Sequence, residues 1–169
     1  MISKLTAAAA LFLFTAAMCA PAADAPENLR PPKPDDTLLH HSRAKGFQIY
    51  FAAKNGEKLE WQVKPDAELF NEKGEKEGKH YAGPSWELND GSKIVADKIQ
   101  EAPHEAACPL LLLKVKSSEG KGALSHVKYV QRLNTSGGAK PAEAPAEGKE
   151  VKVEYTADYY FYGAPIVER

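Results

Sequence analysis

A small set of residues has the types from which a binding site is built. His80, Tyr81, Trp86, Glu87 and Asp90 share one segment, Arg132 and Asn134 a second, and Asp158 and Tyr160 a third. Tyr81 and Trp86 offer flat faces on which a sugar ring can stack, with Glu87, Asn89 and Asp90 placed to hydrogen-bond its hydroxyls. The same segment also has a purely structural reading, in which Trp86 fills the core and Asn89-Asp90-Gly91 makes a turn. Arg132 can clamp a carboxylate or phosphate through its planar fork. Alternatively it pairs with Asp158 or Glu154 on the last strand, where removing one partner of a fully buried pair costs about 3–5 kcal/mol.

Other chemistries find less support. The histidines are His40, His41, His80, His104 and His126, and none forms a His-x-His pair. His104 and Cys108 are four apart, close only on a helix, and two ligands do not close a zinc site. A copper or zinc site built from His80, His126 and an acid across strands remains the alternative, which would make the protein a secreted metal-dependent enzyme or redox protein. No Gly-x-Ser-x-Gly elbow is present, and Gly137-Gly138 has no helix after it to cradle phosphate. Acidic residues are too plentiful to single out the pair a glycosidase needs. No catalytic residue, metal ligand or cofactor is assigned.

The first residues set the expected compartment. Lys4 precedes an uncharged Ala-rich run, Leu5 to Met18, centred on Leu11-Phe12-Leu13-Phe14. This is the layout of a cleavable signal peptide, and the run is too short to span a bilayer. Cleavage is expected after Ala20, Ala22 or Ala23, giving a signal peptide over residues 1–22 and a secreted or periplasmic product. Met18 directly before Cys19 does not suit a lipidation site. Removal of Cys19 leaves Cys108, which reads as a small buried hydrophobe, so no disulfide holds the fold. With 22 basic and 23 acidic side chains, a net charge of −1 and no basic stripe, nucleic acid is not an expected partner. No later segment has the length of a transmembrane helix.

The elements that must position the candidate residues are strands. Residues 23–36 form a Pro-rich extended segment with Pro26, Pro31, Pro32 and Pro34. Over 37–169 the chain reads as one β domain, with turn signals about every ten residues. Phe47, Ile49 and Phe51 alternate with Gln48 and Tyr50, then Leu59, Trp61 and Val63 alternate with Glu60, Gln62 and Lys64. Asn55-Gly56 between them predicts a type I′ hairpin. Gly83-Pro84 divides Lys79 to Leu88 into two short strands or a bulge, and Asn89-Asp90-Gly91 turns into Ser92 to Ile99, with Ile94 and Ala96 inward. Leu110 to Val115 suits a strand buried on both faces. Leu124 to Leu133 is a further strand, and residues 136–149 a flexible loop. In the last strand Val151, Val153, Tyr155, Ala157, Tyr159 and Phe161 share one face. The fold class is therefore all-β, mainly antiparallel, as a β-sandwich or related barrel-like sheet with long loops.

Four stretches in order resemble one family: Lys45-Gly46-Phe47-Gln48-Ile49-Tyr50; Gly78-Lys79-His80-Tyr81-Ala82-Gly83-Pro84-Ser85-Trp86-Glu87 running on to Asp90-Gly91-Ser92; Tyr129-Val130-Gln131-Arg132-Leu133-Asn134-Thr135-Ser136-Gly137-Gly138; and Tyr155 to Tyr162. The family is the secreted Domain of Unknown Function 3455. The resemblance covers nearly the whole chain after the signal peptide and implies export and architecture, with no established activity. It also implies cysteines after the Gln-Ile-Tyr strand and after Gly-Gly, where this chain has Phe51-Ala52 and a Cys-free loop. The expected function is a non-catalytic ligand- or partner-binding domain of the envelope or medium, with carbohydrate or another cell-envelope component as the partner class. A purely structural or assembly module is the remaining alternative.

Overall fold

The computed structural model describes residues 25–33 and 35–165. The expected signal peptide and the question of lipid at Cys19 lie outside the described residues. Eight antiparallel strands, each bonded to the next, close into a barrel. They are β1 (Thr37–Asn55), β2 (Lys58–Phe70), β3 (Lys76–Tyr81), β4 (Ser85–Leu88), β5 (Lys93–Ala102), β6 (Leu110–Glu119), β7 (Val127–Gly137) and β8 (Glu150–Gly163). Closure comes from β8 returning to β1 in the register Ala44↔Ala157 and Gln48↔Val153. An all-β fold was the expectation, and of its two forms the single closed sheet is the one found.

Closure leaves no edge strand to aggregate, and an eight-stranded barrel has an interior just wide enough for side chains or one small ligand. Here Ala44, Leu69, Trp86, Ile94, Leu113, Val130, Ala157, Tyr159 and Phe161 pack inside. Two glycines let the wall bend sharply. A Cβ at Gly46 would lie 2.2 Å from the Asp66 carbonyl oxygen, and one at Gly78 2.3 Å from that of Glu87. Neither position has a positive φ, so the requirement is close approach of neighbouring backbone rather than turn geometry.

A second, smaller core lies outside the wall. Of the run Leu110 to Val115, expected to be buried on both faces, only Leu112 and Leu113 are fully buried, Leu113 inside the barrel and Leu112 covered from outside, while Lys114 is exposed. The cover is the Pro-rich segment. It is not simply extended: Glu27–Leu29 form one turn of 3-10 helix. Leu29 docks against Leu112, Tyr129, Leu133 and Tyr162, and its carbonyl accepts a hydrogen bond from Gln131 Nε2 at 2.8 Å.

The hairpin at Gly56 needs one correction. Asn55 pairs directly with Lys58, so Gly56 and Glu57 are the two loop residues. Only Gly56 has positive φ (62°), which is the II′ arrangement rather than I′. Likewise, β7 begins at Val127, and Leu124 belongs to the preceding turn, where its N–H bonds Ser92 Oγ at 3.2 Å.

Candidate functional site

One end of the barrel carries the β1–β2 hairpin, the β3–β4 turn, the segment 103–109 and the loop 138–149. The loop is tied to β1 and β2. Trp61 Nε1 donates to the Glu143 carbonyl at 2.9 Å, Ala52 N to Lys149 O at 3.0 Å, and Tyr50 OH to Gly138 O at 2.8 Å. At the same end, lined by residues of β1 to β8 and of the segment before β6, lies a cavity of about 270 Å³. Its apolar walls are Pro65, Pro84, Leu111 and Leu113, its mouth is marked by Val63, Lys98 and Glu101, and its polar residues are Gln48, Tyr50, His80, Trp86, Cys108, Arg132 and Tyr159.

Pairing explains the convergence. Leu111, Arg132 and Tyr159 stand side by side on β6, β7 and β8, while His80 pairs with Trp86 across β3 and β4. All project inward. The His80 ring stacks on Trp86 at 4.4 Å and meets Tyr159 edge-on at 4.9 Å. Arg132 is 7% exposed. Its Nε and Nη2 both donate to the Pro109 carbonyl, at 3.0 and 2.8 Å. No carboxylate lies within ion-pair distance of it among the described residues. Two further buried donors, Gln48 Nε2 and Trp86 Nε1, have no hydrogen-bond partner among the described residues. Such groups are rare in folded proteins, and two beside one cavity is a specific feature.

Burial fixes the protonation states. It drives the His80 pKa down to about 3, with the Arg132 cation acting in the same direction against the Ser85 hydrogen bond. His80 Nδ1 lies 2.9 Å from the Ser85 carbonyl, which can only accept, so Nδ1 carries the proton. Burial likewise raises the Cys108 thiol and the Tyr50 and Tyr159 phenols, partly opposed in each case by Arg132. Burial works against the charge on Arg132, yet the Tyr159 and Cys108 groups beside it leave its pKa raised overall, so it stays a cation.

The candidate residues separate into four places. His80, Trp86 and Arg132 meet in the cavity. Tyr81 and Glu87 lie outside it, where the Tyr81 hydroxyl donates to Glu87 Oε2 at 2.8 Å and Lys79 Nζ is 3.3 Å from Glu87 Oε1. Burial and that carboxylate push Tyr81 up to about 12. The stacking platform of Tyr81 with Trp86 is therefore not formed, because neighbouring register positions send them to different sides of the wall and Trp86 is 1% exposed. Asp90 holds a turn: it accepts from Ser92 N, Ser92 Oγ and Ala123 N at 2.8, 2.6 and 2.8 Å. Asn134, Asp158 and Tyr160 lie together on the outer wall. Asn134 Nδ2 donates to Asp158 Oδ2 at 2.7 Å, His41 Nε2 is 3.2 Å from Asp158 Oδ1, and the His41 ring stacks on Tyr160 at 4.6 Å.

The Arg132–Asp158 pair does not exist. Asp158 is opposite Leu133, one residue beyond Arg132, and a one-residue offset places the two charges on opposite faces. A pair with Glu154 is also absent among the described residues. His126, weighed with His80 as a metal ligand, is exposed in the turn before β7, and no group of three or more His, Cys, Asp or Glu side chains able to hold a metal occurs among the described residues. Gln48, Tyr50, Cys108 and Tyr159 complete the cavity and were not singled out from sequence. The available signal was Gln48, a polar residue set inside the apolar β1 pattern.

These features define an eight-stranded antiparallel barrel with a polar-lined interior cavity at one end. Residues 32–163 match the family model described as Protein of unknown function (DUF3455), and the chain belongs to that family. No curated protein and no solved structure matches the chain. No helix among the described residues is long and apolar enough to cross a membrane.

Proposed function

We propose that this is an exported, non-catalytic binding protein that holds a small molecule inside the barrel, at the end that carries the β3–β4 turn and the segment 103–109. The observation that carries the reading is the buried Arg132 without a counter-ion among the described residues, in a cavity lined also by Gln48 and Trp86, whose buried side-chain N–H groups have no partner among those residues. An unpaired buried charge is costly unless something compensates it. The cavity lies at a barrel mouth, a common place for ligand sites.

Turnover is disfavoured by the protonation states. A general acid or base works best with a pKa near the operating pH. Here His80 is held near 3 and the thiol and phenols are raised, so none of them exchanges a proton near neutrality. The group suits holding rather than reacting. Export rests on the hydrophobic leader alone.

Both parts are tested by mass spectrometry on protein purified from the native host. The expected intact mass begins after Ala20, Ala22 or Ala23, and under non-denaturing conditions a fraction carries a non-covalent adduct that is lost on unfolding. An uncleaved chain overturns export. A mature protein without adduct, together with no thermal stabilisation by any compound in a broad fragment panel, overturns ligand binding.

A further inference from the structure

We infer that the cavity is selective for a small monocarboxylate with an apolar, ring-sized body. This rests on the reading that the cavity is a ligand site. Three observations converge on it: charge, donor pattern and size.

Among the described residues the one charge buried at the site is Arg132, and its guanidinium already spends Nε and one Nη2 proton on the Pro109 carbonyl. The remaining N–H groups, one side of which also meets the Tyr159 hydroxyl, form part of a planar fork, which matches the two coplanar oxygens of a carboxylate. One monoanion neutralises one cation. A phosphate dianion would instead bring a surplus buried charge, which is expensive in a site of this depth. Gln48 Nε2 and Trp86 Nε1, unpartnered N–H groups enclosed just behind the lining among the described residues, are donors as well, so the surroundings favour acceptors on the ligand over further donors.

The walls select the rest of the molecule. Pro65, Pro84, Leu111 and Leu113 present carbon surface, and nothing on them can bond a row of sugar hydroxyls. The volume of about 270 Å³ exceeds the roughly 150 Å³ cavity that accepts benzene, and so admits a ring plus a carboxylate. At the mouth Lys98 and Glu101 pair with each other at 2.5 Å, so neither is committed to the interior.

The test uses benzoate, benzamide, benzyl alcohol and inorganic phosphate, titrated into the exported chain and followed by calorimetry. Benzoate is expected to bind about tenfold or more tightly than benzamide, with no measurable heat from phosphate. Arg132→Met should abolish the preference for benzoate, whereas Arg132→Lys, which keeps charge but loses the fork, should weaken benzoate about tenfold. Should Arg132→Met fail to fold, Gln48→Leu serves instead and should weaken benzoate while sparing benzyl alcohol. Equal binding of benzoate and benzamide in the wild type overturns carboxylate selectivity and leaves the ligand site standing. Phosphate binding in place of benzoate also overturns it. Binding of none of these probes, with an adduct still present on the native protein, overturns the ligand class alone; without an adduct, the site itself falls.

Discussion

Between pH 6.5 and 4.5 the protein should lose about 2–3 kcal/mol of stability that a His80→Gln variant does not lose, measured by urea unfolding across that range. The cause is the buried imidazole. His80 is 3% exposed, stacked on Trp86, and near the Arg132 cation, so its folded pKa is about 3 against an ordinary value of 6.5. In this interval the unfolded chain binds a proton there and the native protein does not, so stability rises with pH. The contribution is fully present above 6.5 and lost progressively as the pH falls towards 3. Asp90 and Asp158 act in the same direction, but at lower pH, because their pKa values are lowered from an already acidic 3.8. The comparison of wild type with variant in the window above 4.5 therefore isolates His80. Glutamine keeps a donor for the Ser85 carbonyl without the titrating ring. If wild type and variant lose stability in parallel, the buried neutral histidine is wrong.

Replacing Trp86 by alanine should cost about 3–5 kcal/mol, lowering Tm by roughly 10–20 °C for a chain of this size. Trp86 is 1% exposed, stacked on His80, and meets Tyr159 and Phe161 edge-on at 5.3 and 6.2 Å. Its removal opens a void bounded by three rings that the closed wall cannot collapse to fill. The matched control is Tyr81→Ala, whose ring is on the outer surface with a single hydrogen bond to Glu87. That change should cost less than about 1 kcal/mol. Thermal unfolding of the two variants separates the geometries: similar small losses would place Trp86 on the surface with Tyr81.

Much of the strand order was legible because turn residues and alternation act locally. Gly83-Pro84 and Asn89-Asp90-Gly91 separate the strands they were expected to separate. The face of β8 that holds Tyr155, Ala157, Tyr159 and Phe161 is the inner one, as its alternation indicated. Alternation failed on β1. There Phe47, Ile49 and Phe51 form the more apolar face, yet Gln48 and Tyr50 point inward and Phe47 is 36% exposed. The inversion has a physical cause, since the barrel interior is polar at this end, and pattern reading assumes an apolar inside. Local rules were thus broken where the candidate site lies.

Closure was not legible. It depends on β1 meeting β8, residues such as Ala44 and Ala157 that are far apart in sequence and carry no mark of each other. Without closure, His80, Trp86 and Arg132 could be named by type but not brought together. The same gap allowed Arg132 and Asp158 to be considered as partners, although a single register step separates their faces.

A crystal structure of the protein purified from its native host, or soaked with benzoate, tests the central claim most directly. The expected result is ligand density in the cavity between His80 and Arg132, with a carboxylate within about 3 Å of the Arg132 guanidinium and carbon surface against Leu111 and Leu113. A cavity holding water alone in both crystals, or ligand bound only on the outer wall near Asp158, would contradict it.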